Sequence, residues 1–305
     1  MLSIAAVERD TGLSKDTLRV WERRYGFPAP HRDALGTRSY PFEQVENLRT
    51  IKRLLDAGHR PGRVVAMPGE DLNRLAATIS TPKSNGEPPD ASRRAAPELG
   101  PFLQALQAND VVLLRQVMAA SSSRMGLGRF VLELLAPLTA EVGEAWMQGR
   151  LEVFQEHLFT ESVQVVLRNA LHQLPVAGTG RPRVLLSTVS GEPHGLGLLM
   201  AEAVLTLEGC HCISLGVQTP VSDIVRAAAA LGAEIVALSC TGCTNPNHVF
   251  DGLAQLRAQL PSGVAVWAGG SAPVLQRRVI AGVHVLPSLD RVPAALDSWR
   301  AANPA

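Results

Sequence analysis

Val184-Leu185-Leu186-Ser187-Thr188, followed by Glu192-Pro193-His194-Gly195-Leu196-Gly197, is the stretch on which the reading of this chain turns. A short apolar run gives way to a loop carrying one histidine among small residues, and an apolar helical pattern then spans 196–208. The texture repeats downstream. Residues 210–215, 235–239 and 264–268 read as further strands, with helical patterns at 222–231 and about 250–259 between them. Apolar strands alternating with helices predict a doubly wound, Rossmann-like α/β sheet covered on both faces. Such sheets bind ligands beyond the carboxyl ends of their strands, which is where His194 falls.

Upstream of this domain, residues 98–177 carry apolar side chains at spacings of three and four, including Leu103, Leu106, Leu114, Phe130, Leu134 and Leu138. They predict a four-helix bundle. Residues 76–97 hold four prolines and almost no large apolar side chain, so they read as a flexible linker. Residues 1–75 begin with two short helical patterns around the turn Thr11-Gly12-Leu13, with Ser14 placed to cap the second. A polar, turn-rich stretch at 29–40 suits a wing, and further helices are expected at about 42–57, with Gly58 as its C-cap, and at 61–67.

At 305 residues and 46% apolar content the chain can fill several cores, and 4% aromatics argue against a protein that stacks many exposed bases. Residues 1–65 hold 12 Lys and Arg against 8 Asp and Glu, an excess of +4 within a total of +1, which leaves the remainder at −3. The basic excess sits on the candidate helix-turn-helix, as DNA binding requires. No run approaches the ~18 to 20 apolar residues of a membrane span, and no signal peptide opens the chain, so a cytoplasmic protein with no membrane contact is expected.

The stretch Ser14–Gly26 resembles the recognition helix of the MerR family, and Gly36-Thr37-Arg38-Ser39-Tyr40 matches that family's wing signature. A helix offering Lys15, Thr17, Arg19 and Arg23 can enter the major groove of double-stranded operator DNA, with Arg38 and Tyr40 gripping the flanking backbone. The set Glu192, His194, Gly197, then Ser239-Cys240-Thr241, then Gly269-Gly270 is similar to the signature of base-off, His-on cobalamin-binding domains. That signature is usually written with Asp where this chain has Glu192 and with Leu where it has Thr241, which narrows the apolar wall. The resemblance implies that His194 is the lower cobalt ligand and that Glu192 orients its ring. It also implies that Gly197, Ser239, Gly269 and Gly270 admit the displaced nucleotide tail.

Trp146, nine residues, then Glu156-His157 resembles the CarH/LitR family of photoreceptor repressors, where these side chains cap the adenosyl group. The resemblance implies adenosylcobalamin as cofactor, a light-responsive repressor rather than an enzyme, and a homo-oligomer, dimer or tetramer. Met147 stands where those photoreceptors can carry a histidine that ligates cobalt after illumination. Two other readings remain: a corrinoid methyl-carrier module, which the helix-turn-helix opposes, and a regulator whose fold takes another ligand or only protein partners. Cys240-x-x-Cys243 and Cys210-His211-Cys212 offer soft metal donors, but Cys210 and Cys212 sit at an apolar strand and Cys240 lies inside the Ser239–Thr241 element.

Overall fold

The computed structural model describes residues 1–33, 36, 38–56, 59–79, 99–174, 180–242 and 244–304. Gly58, Thr37, Cys243 and most of the expected linker lie outside the described residues. The chain divides into two compact units, 1–93 with 143–153, and 94–142 with 154–305.

In the first unit, β1 (Leu2–Ser3), α1 (Ile4–Thr11), α2 (Lys15–Tyr25), β2 (His31–Arg32) and β3 (Arg38–Tyr40) precede α3 (Phe42–Asp56), α4 (Pro61–Val64) and α5 (Gly69–Ile79). The small sheet is antiparallel in the order β1-β3-β2. Ser14 Oγ accepts the Thr17 N–H at 3.1 Å, starting α2, and Gly26 ends it at a φ of 71°. Such a cap stabilises a helix by about 1 kcal/mol. Val7, Leu18, Trp21, Tyr40, Leu48 and Leu72 share the core, so α2 is fixed by burial of one face while the other stays in solvent. The helix expected over 61–67 stops at Val64. Pro68 and Gly69 then begin α5, an unexpected helix whose Glu70 and Asp71 suit its positive N-terminal dipole.

Four helical stretches follow: α6 (Gly100–Gln107), α7 (Val111–Met125), the run from α8 (Leu127–Arg129) into α9 (Ala136–Met147), and α10 (Val153–His172). Between α8 and α9 lies a π-helical turn, Phe130–Leu135, in which the Ala136 N–H reaches back to Val131 O. Pro137 follows it: its ring would clash with the carbonyl four residues back in a regular α-helix, and a widened turn gives it room.

The α/β domain runs β4 (Arg183–Ser187), α11 (Leu196–Leu207), β5 (His211–Ser214), α12 (Val221–Leu231), β6 (Ile235–Ser239), α13 (Pro246–Gln259), β7 (Ala265–Gly269), α14 (Pro273–Arg277), β8 (Val283–Leu286) and α15 (Val292–Ala302). All five strands are parallel, in the order β5-β4-β6-β7-β8. Val184, Leu185, Leu186, Val236, Val266 and Ala268 are buried, as expected of strands covered on both faces. The order reverses between β4 and β6, so the loops leaving those two strands border a crevice. β8 and α15 complete the fold beyond the elements read from sequence.

Candidate functional site

The loop after β4 carries Glu192 and His194, and the loop after β6 carries Thr241 and Thr244. Glu192 has no exposed surface. Its Oε1 accepts the His194 backbone N–H at 3.1 Å and pairs with His194 Nδ1 at 2.7 Å. Its Oε2 accepts the Thr241 N–H at 2.8 Å, the Thr241 hydroxyl at 2.7 Å and the Thr244 hydroxyl at 2.9 Å. Burial alone would push this carboxyl up, but the bonds from His194 and Thr241 more than offset it and hold its pKa at about 2. An ionised Glu192 only accepts, so His194 Nδ1 is the donor in their bond, and Nε2 is the ring nitrogen left for another partner. The ring is half exposed, with 50% of the side chain in solvent.

Thr241 therefore differs from the apolar wall expected of it. It hydrogen-bonds the buried carboxylate twice, and a leucine there would supply neither its hydroxyl nor that bond. Thr244, 8% exposed, was not singled out by the sequence, because one threonine in a polar loop carries no pattern.

Gly197, Ser239, Gly269 and Gly270 line one cavity of 720 Å³ at the carboxyl edge of the sheet, walled by Leu186, Ala237, Trp267 and Leu286 and by Leu132 and Ala140 from the helices. The π-helical turn thus contributes to its wall. A side chain at Gly197 would stand 3.0 Å from Ser239 Oγ. At Gly270, with φ of 111°, a Cβ would lie 2.2 Å from the Cys240 carbonyl oxygen, so that position admits glycine alone.

Glu156 and His157 stand in the first turn of α10 and pair with each other, Oε2 to Nδ1 at 2.9 Å, while Thr160 donates to Glu156 Oε1 at 2.8 Å. His157 is exposed and Glu156 half-buried. Trp146 and Met147 close α9, both half-buried, and group with the other compact unit. The cysteines offer no metal centre among the described residues. Burial pushes the Cys210 thiol to about 11 and those of Cys212 and Cys240 to about 12, so they are protonated and poor ligands.

On α2, Arg19 and Arg23 are exposed; Arg19 meets Asp16 at 3.3 Å, whereas Arg23 makes no ion pair among the described residues. Lys15 is drawn back to Glu8 at 3.2 Å, and Thr17 bonds Ser14 at 2.8 Å. Arg38 Nε donates to Glu22 Oε2 at 2.8 Å. Tyr40 corrects its expected role. It is fully buried in the core, its hydroxyl has no hydrogen-bond partner among the described residues, and burial pushes its phenol up. As the last residue of the central strand it points inward, so it cannot grip DNA.

Residues 2–67 match the model of the MerR HTH family regulatory proteins, and 101–170 and 182–286 match two models of B12 binding domains. The chain is 34% identical over 262 residues to the HTH-type transcriptional repressor CarH of Myxococcus xanthus, covering 86% of each protein. The chain belongs to the CarH family. It is also 29% identical to the repressor CarA of the same organism over 99% of this chain and 98% of CarA. The Methanosarcina barkeri monomethylamine corrinoid protein shares the fold, with a TM-score of 0.53 at 16% identity, over 65% of this chain and 96% of that one. Its CarH-type organisation makes this protein a DNA-binding transcriptional regulator rather than an enzyme. No helix among the described residues is long and apolar enough to cross a membrane. The residues present fit a cobalamin: His194 offers a half-exposed imidazole, and a largely apolar cavity opens at the same edge of the sheet, where a Cβ at Gly197 would crowd Ser239 and one at Gly270 would strike the Cys240 carbonyl.

Proposed function

We propose that this CarH-family protein is a cytoplasmic, adenosylcobalamin-dependent, light-responsive repressor whose cofactor controls its oligomeric state. The observation that carries the reading is the Glu192–His194 pair, which occupies Nδ1 and leaves Nε2 for another partner in the loop after β4, at the carboxyl edge of the sheet where a cavity of 720 Å³ also opens. His194 would ligate cobalt, with Glu192 orienting its ring and Thr241 and Thr244 fixing Glu192. Gly197, Ser239, Gly269 and Gly270 would receive the nucleotide tail. Trp146 would offer an apolar face, and Glu156 and His157 hydrogen bonds, to the adenosyl side. The bound cofactor would supply a cobalt–carbon bond that light can break. Arg19, Arg23 and Arg38 would meet operator DNA, and assembly of several such heads would raise apparent affinity ~10²- to 10⁴-fold without new contacts.

The test is to mix the protein with adenosyl-, methyl- and hydroxocobalamin and follow absorbance and size in dark and light. A dark oligomer formed with adenosylcobalamin and lost on illumination supports the reading. Trp146→Ala should lower the preference for the adenosyl form before it lowers total binding. Equal oligomers with all three cobalamins, unmoved by light, would refute the adenosyl and light parts.

A further inference from the structure

Glu22 presents a carboxylate on the same half of the molecule that carries the DNA-binding arginines. From α2 its Oε1 accepts Arg32 Nη2 of β2 at 2.5 Å, and its Oε2 accepts Arg38 Nε of β3 at 2.8 Å. It is only 18% exposed, and Arg38 only 24%. Burial would raise this carboxyl, but the two guanidiniums hold it below the usual range. Lys15–Glu8 ties α2 to α1 and Arg19–Asp16 lies within α2; Glu22 alone among these three carboxylates bridges the recognition helix to both strands of the wing.

The sign of the charge makes this arrangement informative. A carboxylate near a phosphate-binding surface repels DNA and reduces the counterions released on binding, so by charge alone Glu22 weakens affinity. What it gives in return is geometry. Each guanidinium carries five N–H donors, so one bond to Glu22 aligns the group and leaves the others for phosphate. We propose that Glu22 is a positioning residue that clamps the wing onto the recognition helix, lowering affinity for arbitrary DNA while raising selectivity for the operator. Contacts to phosphate set the register in which base contacts are read, so a loosened wing lets the helix settle equally on wrong sequences. The inference rests on DNA binding through this domain.

The probe is a duplex selected by the wild-type protein from a random-sequence pool, compared with a scrambled duplex of the same length over a range of salt. For Glu22→Gln, binding to the scrambled duplex should strengthen several-fold, roughly two to ten, and become steeper in salt. The ratio of selected to scrambled affinity should fall roughly tenfold. Glu22→Asp keeps the charge but shortens the reach, so it should lose selectivity without gaining scrambled binding. In an Arg32→Gln/Arg38→Gln background, Glu22→Gln should leave the ratio unchanged. Parallel gains on both duplexes with the ratio kept, or full selectivity in Glu22→Asp, would overturn the clamp. Should Glu22→Gln not fold, the Asp variant decides the matter alone. A wild-type protein that selects no duplex would overturn the DNA-binding reading on which the clamp rests.

Discussion

Removing the Thr244 hydroxyl at nearly constant volume, as Thr244→Val, takes one of three donors from Glu192 Oε2. A hydrogen bond to a buried charge contributes about 1.5 to 3 kcal/mol, and its loss should show mainly near neutral pH, where the carboxylate is ionised. A carboxylate whose pKa is depressed to about 2 adds stability that is fully present above its ordinary value near 4.5 and is lost as pH falls towards 2. Thr244→Val raises that pKa, so the variant should be less stable than wild type near neutral pH, and the gap should narrow as pH falls towards 3. Urea unfolding at several pH values between 7 and 3 checks this; parallel curves would remove Thr244 from the network. Tyr40 gives a contrasting residue-scale expectation. Because its buried hydroxyl has no partner among the described residues, Tyr40→Phe should be neutral or stabilising by up to about 1 kcal/mol, with DNA affinity unchanged. A loss of DNA affinity with intact folding would restore a direct role for the phenol.

At the scale of elements, the cavity depends on small residues at the ends of β6 and β7 and in the first turn of α11. Ala237→Phe places a ring in the cavity proposed to receive the nucleotide tail, and the surrounding walls already accept apolar contact. The variant should bind a tail-less corrinoid such as cobinamide about as well as wild type while losing cobalamin at least tenfold, a loss of about 1.4 kcal/mol or more. Equilibrium dialysis with both corrinoids decides it, and equal loss of the two would mean that the ring had damaged the fold instead. Much of this was legible beforehand. Strands β4 to β7 announce themselves as apolar runs, whereas His194, Gly197 and Gly270 stand out through the resemblance of their motif to the cobalamin-binding signature. β8 was missed because Val283-His284-Val285-Leu286 alternates over too few residues to stand out, and α5 because Pro68-Gly69 reads as an end rather than a beginning. Thr244, Glu22 and the burial of Tyr40 depend on contacts between residues distant in sequence, which periodicity does not encode.

For the whole molecule, the CarH-family account joins a DNA-binding head to a sensor through cofactor-controlled assembly. A ligand shifts such an equilibrium only by as much as its affinity differs between the two states, so cobalamin must bind the assembled form better. In the proposed scheme the linkage would run through His194, since an imidazole fixed by a buried carboxylate is what distinguishes this loop from an ordinary strand-to-helix turn. The most direct test is a dark titration of the selected duplex with wild-type protein and with His194→Ala, each with and without saturating adenosylcobalamin. The account predicts that the cofactor changes wild-type affinity by ~10²-fold or more, as multivalent engagement would, and leaves His194→Ala nearly unmoved. An affinity that ignores the cofactor in the wild type, or responds equally in His194→Ala, would contradict it.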